Sequence, residues 1–287
     1  MGRCNQWLGR GVVVLALSLG AVRAGAAEEG PNRGRVSFSV NSDITNAYFF
    51  RGILNERDGF IWEPYADLGF NLYKGEGAIS SVDLGFGTWF SFQTEKTLAT
   101  GEGPTNLYEV DYYPSLSVEF AGGFSTGLSY VLYTSPNGAF STVQQLDWSL
   151  GFDDSEYLGA FALHPSALFS FELENTSFGP DEGGYFQFGL TPGFDAGEPY
   201  TVSFTFPLVV GVSMYDYYET SHSNDHTFGF FSFGVASSFP LSFIPEDFGS
   251  WSTGISVTAL VLSDTLEEVN EGDQIFPVAV WSLGFEY

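Results

Sequence analysis

The sequence predicts an all-β fold: a transmembrane, antiparallel, up-and-down β-barrel of about 12 strands. Three observations carry this expectation. Stretch after stretch alternates bulky with small or polar side chains, the links between stretches alternate short with long, and the last stretch, FPVAVWSLGFEY, keeps the alternation up to Tyr287. In that stretch Trp281, Leu283, Phe285 and Tyr287 share one face, and Val280, Ser282, Gly284 and Glu286 share the other, which is the period of a strand between two environments.

The N-terminus is set aside first. Arg3 and Arg10 flank a short polar start, the apolar run GVVVLALSLGAV follows, and Ala24 to Ala27 supply small residues for cleavage. Residues 1–27 therefore read as a secretory signal peptide and 28–287 as one barrel domain, since a membrane-spanning helix needs about 20 apolar residues. Cys4, the single cysteine, lies before the apolar run. The exported domain is then expected to be free of disulfides.

Nine basic residues stand against 35 acidic ones, a net charge of −26, and three of the nine fall in the leader. Such a chain repels phosphate backbones, so nucleic acid is excluded as a partner. Disorder is excluded as well, because 30 Phe, 15 Tyr and 6 Trp are far too many for a solvated polyanion.

Alternating stretches fall at 36–51, 60–73, 78–93, 106–120, 124–134, 143–153, 160–173, 184–195, 200–214, 226–239, 251–262 and 275–287. Within 78–93, Val82, Leu84, Phe86, Phe90 and Phe92 share a face opposed by Asp83, Gly85, Gly87, Ser91 and Gln93, with Trp89 the bulky exception. Helical periodicity is absent from this reading. YKGEGA, AGG, DDSEY, DAGEP and FPLSFIPEDFGS form the shorter class of links, alternating with longer ones such as RGILNERDG and SDTLEEVNEGDQ. Outer-membrane barrels have short periplasmic turns and longer extracellular loops, whereas a β-sandwich has no reason to place its long links at every second position. Tyr48, Tyr73, Tyr108, Phe124, Tyr200, Tyr215 and Trp251 are candidates for interfacial aromatic girdles.

With the apolar faces toward lipid, the opposite faces line a lumen. That lining holds Asp43, Glu63, Asp67, Asp83, Glu109, Asp111, Glu119, Asp147, His164, Glu172 and Asp195, and one inward cation, Arg51. Arg51 is expected to pair with neighbouring carboxylates, because uncompensated charge in a narrow lumen is costly. Rings of Asp and Glu at a constriction favour cations. Inward bulk at Tyr65, Trp89 and Tyr113 could instead close the passage.

No enzyme is read from the sequence. His164 and Ser166 lack a specified acidic orienting partner and face the lumen in this reading, and no phosphate loop or dinucleotide fingerprint occurs. His222, Asp225 and His226 lie in a loop without cysteine support, and the acidic loop 263–274 lacks the ligand spacing of an EF-hand, so no metal or cofactor is assigned.

At SDITNAYFFRGIL, followed by GFIWEPYADLGFNLY, the sequence resembles the TorF-type porin family, matching at Ser42, Asp43, Tyr48, Phe50, Arg51, Gly52 and Ile53. The resemblance implies an outer-membrane barrel and a pore, without naming a substrate. The aromatic end, Phe285 and Tyr287, resembles the signal by which barrel-assembly machinery recognises its precursors. The expected partners are then outer-membrane lipid, that machinery, and small polar solutes or cations that diffuse through. The alternative is a closed barrel that serves as a surface-exposed binding or structural protein, with acidic loops able to hold divalent ions.

Overall fold

The structure, a computed structural model, describes residues 34–95, 106–197, 201–219 and 226–287. The signal-peptide reading of 1–27, Tyr200, and the loop residues His222 and Asp225 lie outside them.

In chain order the elements are β1 (Val36–Thr45), β2 (Tyr48–Phe50), β3 (Ile53–Glu56), β4 (Ile61–Lys74), β5 (Ile79–Gln93), β6 (Asn106–Phe120), β7 (Phe124–Thr134), β8 (Val143–Phe152), α1 (Ser155–Leu158), β9 (Ser166–Glu174) and β10 (Gly184–Leu190). They continue with β11 (Gly193–Ala196), β12 (Val202–Thr205), β13 (Leu208–Tyr215), β14 (Phe228–Pro240), β15 (Ser250–Leu262), α2 (Asp264–Val269) and β16 (Ile275–Glu286). Among the described residues, twelve strands form a closed antiparallel ring: β1, β4 to β10, and β13 to β16. The last pairs back onto the first, with Ser39 opposite Glu286 and Thr45 opposite Val280. Tyr287 completes the seam by exchanging backbone hydrogen bonds with Phe38 at 2.9 and 3.1 Å.

The polarity of the wall is inverted relative to a water-soluble fold. Phe86, Leu116, Trp148, Phe233, Ile255 and Trp281 project outward, each at least 43 % exposed, whereas Asp43, Glu63, Ser91, Gln145 and Asp147 are buried within. Closing the ring pairs each of its twelve strands on both sides, and an apolar exterior suits hydrocarbon, so this wall is built for lipid.

Several elements depart from the sequence reading. The predicted first strand, 36–51, stops at Thr45, and residues 48–56 form a separate hairpin that turns into the barrel. Arg51 and Gly52 both take positive φ, 50° and 84°, which reverses the chain at the hairpin tip. A Cβ at Gly52 would also lie 2.9 Å from the Leu266 side chain and 3.0 Å from the Phe230 ring, so both would have to give way. Asn46 anchors the exit from β1, donating to the Pro277 carbonyl and accepting from the Ala279 N–H.

The link after β8 is not short. It spans 153–165 and is organised by Asp154, whose carboxylate accepts from the N–H groups of Leu163 and His164 at 2.9–3.0 Å. His164 therefore lies in this link, 3.6 Å from Asp153, rather than on a lumen face. The stretches 184–195 and 200–214 each break at a proline, Pro192 or Pro207, which lacks the N–H that a ladder needs. The broken pieces, β11 and β12, make a small hairpin that pairs with the lower part of β14. Asp195 is exposed there, hydrogen-bonded by Ser203, and does not line the lumen. Two short helices, α1 and α2, also occupy links where no helix was expected. Ser263 caps α2 by accepting from the Leu266 N–H.

The alternation of ends holds, but the alternation of lengths holds only in part. At the end shared with the termini, 75–78 and 121–123 are tight turns, while 153–165, 191–207 and 241–249 are as long as links at the opposite, loop end.

Candidate functional site in the barrel lumen

The β2–β3 hairpin gives the barrel its core. Phe49 and Leu54 pack with Tyr185, Tyr217, Tyr218, Phe230, Leu262 and Leu266 on one side. Tyr48 and Phe50 pack with Ile61, Trp89, Tyr108, Tyr113 and Tyr133 on the other. The loop half of the lumen is therefore filled. Tyr48 and Tyr108, expected in an interfacial girdle, are buried in this interior, because the chain turns inward before Tyr48 and a register shift opposite Ser91 and Phe92 rotates Tyr108 with it. Tyr73, Phe124 and Tyr215 remain exposed on the barrel, as girdle positions require. The inward bulk of Trp89 and Tyr113 is as expected, and the Tyr113 ring lies so tightly over Gly87 that a Cβ there would collide with it.

At the hairpin tip, Arg51 is 1 % exposed and spans the barrel. Its guanidinium donates to Gln145 Oε1 at 3.0 Å, Tyr217 OH at 3.0 Å and Ser170 Oγ at 2.8 Å. Asp147 Oδ1 stands 3.8 Å away, so the expected carboxylate pairing is present, on β8. The Tyr185 ring lies 4.3 Å from the guanidinium carbon, a cation–π contact. Tyr218 OH donates to the Arg51 carbonyl, and Asn270 binds both Gly52 and Leu54, so the reversed backbone has fixed partners. Sequence reasoning placed Arg51 in the lumen but on a strand of the wall. Tyr217, Gln145, Ser170 and Asn270 carried no signal of their own, since each becomes a partner only through the hairpin.

A belt of carboxylates lies on the wall beside the hairpin. Asp43 pairs in register with Glu63. Glu63 sits between the registered pairs Trp62–Phe92 and Tyr65–Trp89, level with Ser91, and Ser91 faces Glu109. Asp111 follows opposite Trp89. Glu109 accepts from Tyr48 OH at 2.7 Å, which ties the belt to the base of the hairpin. Among the described residues, no three Asp, Glu, His or Cys side chains converge closely enough to chelate a metal.

Toward the terminal end the lining becomes small and polar. Ser39, Ser115, Gly127, Ser149, Gly151, Gly189, Gly234, Ser238, Gly254 and Gly284 face inward by register with the buried positions above them. A cavity bordered by Asn41, Tyr65, Ser238, Ser256 and Ser282 lies in this half. Asp67, Asp83 and Glu119 belong to the same vestibule, with Asp83 accepting from Asn71 Nδ2 at 2.7 Å. Glu172 faces inward beside Gln145 but serves the backbone, accepting from the N–H groups of Ser177 and Gly183 at 2.6 and 2.9 Å. Phe285 lies on the outer face, packed on Trp251 and Phe38 at the closing seam. Tyr287 is 74 % exposed.

No family model and no curated protein sequence matches the chain. Among solved structures it is similar to an outer membrane channel from Pseudomonas putida F1, with a TM-score of 0.50 and 10% identity over 93% of this chain and 100% of that one. It is also similar to the NanC porin, with a TM-score of 0.42 and 8% identity over 86% and 97%. The beta domain of the Bordetella autotransporter Brka gives a TM-score of 0.42 and 11% identity over 88% and 98%. With its apolar outer wall and closed ring, this chain has the fold of an outer-membrane β-barrel.

Proposed function

We propose that the protein is a channel for passive diffusion of small polar solutes, that it favours cations, and that the β2–β3 hairpin forms its constriction. The observation that carries this reading is the division of the lumen. A vestibule of serine and glycine leads from the terminal end to a carboxylate belt, and beyond the belt the lumen is filled by the hairpin and the side chains packed on it, among them Tyr217, Tyr218 and Leu266. Carboxylates at the narrowest level enrich cations and repel anions. The resemblance of the hairpin sequence to the TorF-type porins supports the same reading, with Phe285 and Tyr287 as its recognition end for the assembly machinery. Solutes pass without chemistry.

A second reading is favoured by the density of the hairpin's contacts: a permanently closed barrel whose acidic loops bind a partner or divalent ions at the surface. Planar-bilayer recordings separate the two. The channel reading expects a conductance with a cation-selective reversal potential that grows when residues 47–57 are replaced by a short Gly-Ser link. Silence from both folded proteins rejects it in favour of the closed barrel.

A further inference from the structure

We propose that the buried belt centred on Glu63 is a binding site for one hard cation of the calcium class. Glu63 is 1 % exposed, and neither of its carboxylate oxygens has a hydrogen-bond partner. Its nearest charged neighbours are acidic, Asp43 on one adjoining strand and Glu109 beyond Ser91 on the other side. None of the ion pairs among the described residues engages Glu63 or Glu109; Arg51 is committed to the opposite wall, and Arg35 donates to Asn71 at the terminal mouth. A buried ionised carboxylate with neither a hydrogen bond nor a counter-charge is strongly disfavoured, and its charge is compensated either by a proton or by a bound cation; the oxygen donors beside Glu63 favour the cation.

The donor set identifies the class of that charge. Three polar groups beside Glu63 offer oxygen: the Asp43 carboxylate, the Ser91 hydroxyl and, two residues along β5, the Gln93 carbonyl oxygen, which is buried without a partner while its amide donates to Ser91 at 3.0 Å. Oxygen donors that mix carboxylate, amide carbonyl and hydroxyl, without thiolate or imidazole, suit calcium rather than zinc or copper. Because no three acidic groups among the described residues converge on one point, Glu63 is the anchoring ligand and the charges of Asp43 and Glu109 act from the next shell. The site does not require the lumen to conduct.

Terbium, a luminescent stand-in for calcium, tests the site, because Trp89 can sensitise it. Among the described residues Trp89 is the one tryptophan in the lumen, buried two positions from Ser91, while Trp62, Trp148 and Trp281 are exposed on the lipid face. The full barrel, purified in detergent and stripped with chelator, should show tryptophan-excited terbium emission that saturates at one ion and is displaced by calcium. Glu63→Gln, which imitates a neutral protonated acid, should weaken binding at least tenfold. Asp43→Asn should weaken it less, and serves as the test if Glu63→Gln lacks the unheated gel mobility of a folded barrel. Glu267→Gln combined with Glu268→Gln and Glu271→Gln should leave emission intact. The proposal is overturned by absence of saturable emission and calcium binding in the native protein, by binding unchanged in Glu63→Gln, or by loss in the loop variant.

Discussion

Arg51 Nη2 lies 2.8 Å from Ser170 Oγ, although Arg51 belongs to the first link of the ring and Ser170 to β9, diametrically across it. The contact makes the hairpin a strut as well as an obstruction. Arg51→Ala should remove three side-chain hydrogen bonds and leave Asp147 buried without its cation. Breaking a buried pair in this way costs about 3–5 kcal/mol. The midpoint at which the barrel loses its unheated gel mobility should fall, and Asp147→Asn in the same molecule should restore part of the loss. Arg51→Lys should behave more like Ala than like Arg, because an ammonium cannot fork between Gln145 and Ser170. In bilayers Arg51→Ala should raise the open probability.

Adjacent residues on β15 should respond oppositely to the same substitution. Val257 is 47 % exposed on the outer wall, whereas Ser256 pairs with Ala236 and Val280 on the inner one. An arginine on the lipid face near the midplane costs about 2–4 kcal/mol. Val257→Arg should therefore lower the folded fraction in denaturant titration from lipid vesicles, and Ser256→Arg should be tolerated. Equal penalties would contradict the assignment of the faces.

The closing seam depends on the last residues of the chain. Removing Phe285 to Tyr287 deletes the Phe38–Tyr287 backbone pair and the ring contacts of Phe285 with Trp251 and Phe38. The expected outcome is accumulation of unassembled, protease-sensitive chain. Assembly at the native level would show that the seam closes without its aromatic end.

Orientation follows from the placement of the termini with 75–78 at one end and α2 at the other. A cysteine at Glu268, exposed on α2, should react with an impermeant thiol reagent on intact cells. One at Glu76 should react only after the cells are opened. Asn270, in the same acidic link, is unsuitable because it is buried against the hairpin. The reverse labelling pattern would invert the barrel.

The Asp154 cap should make the 153–165 link sensitive to acid. Burial pushes this carboxyl up, but the N–H groups of His164 and Leu163 outweigh it and hold the group below the ordinary carboxylate range. A carboxyl depressed in the folded state contributes stability above its unfolded value of about 3.9, and that contribution fades as pH falls from there through the folded value. Proteolysis within the link should stay slow at neutral pH and accelerate below about pH 4. Asp154→Asn should remove the dependence and leave the link open throughout.

Much of the wall was legible because a strand between lipid and a polar interior repeats every two residues, and local composition is enough to reveal it. Trp281 against Val280, and Phe86 against Gly87, took the faces that alternation assigned to them, and Asp43, Asp67, Asp83, Glu109, Asp111, Glu119, Asp147 and Glu172 all turned inward. Periodicity gave no warning at Asn46, Pro192 or Pro207, where the chain leaves a stretch that still alternates. It also missed α2, whose single turn and a half is too short to show a helical period.

Alternation in the sequence, then, determined a ring of strands with an acidic interior and an aromatic closing strand, because each residue of a strand meets only one of two environments. What fills that interior was decided by the tertiary structure. Two adjacent residues of positive φ, Arg51 and Gly52, turn YFFRGIL from a continuation of β1 into a hairpin, and the turn is stable only where Tyr218, Asn270, Gln145 and Ser170 receive it. Those partners lie 94 to 218 residues away in the chain, beyond the reach of any local pattern.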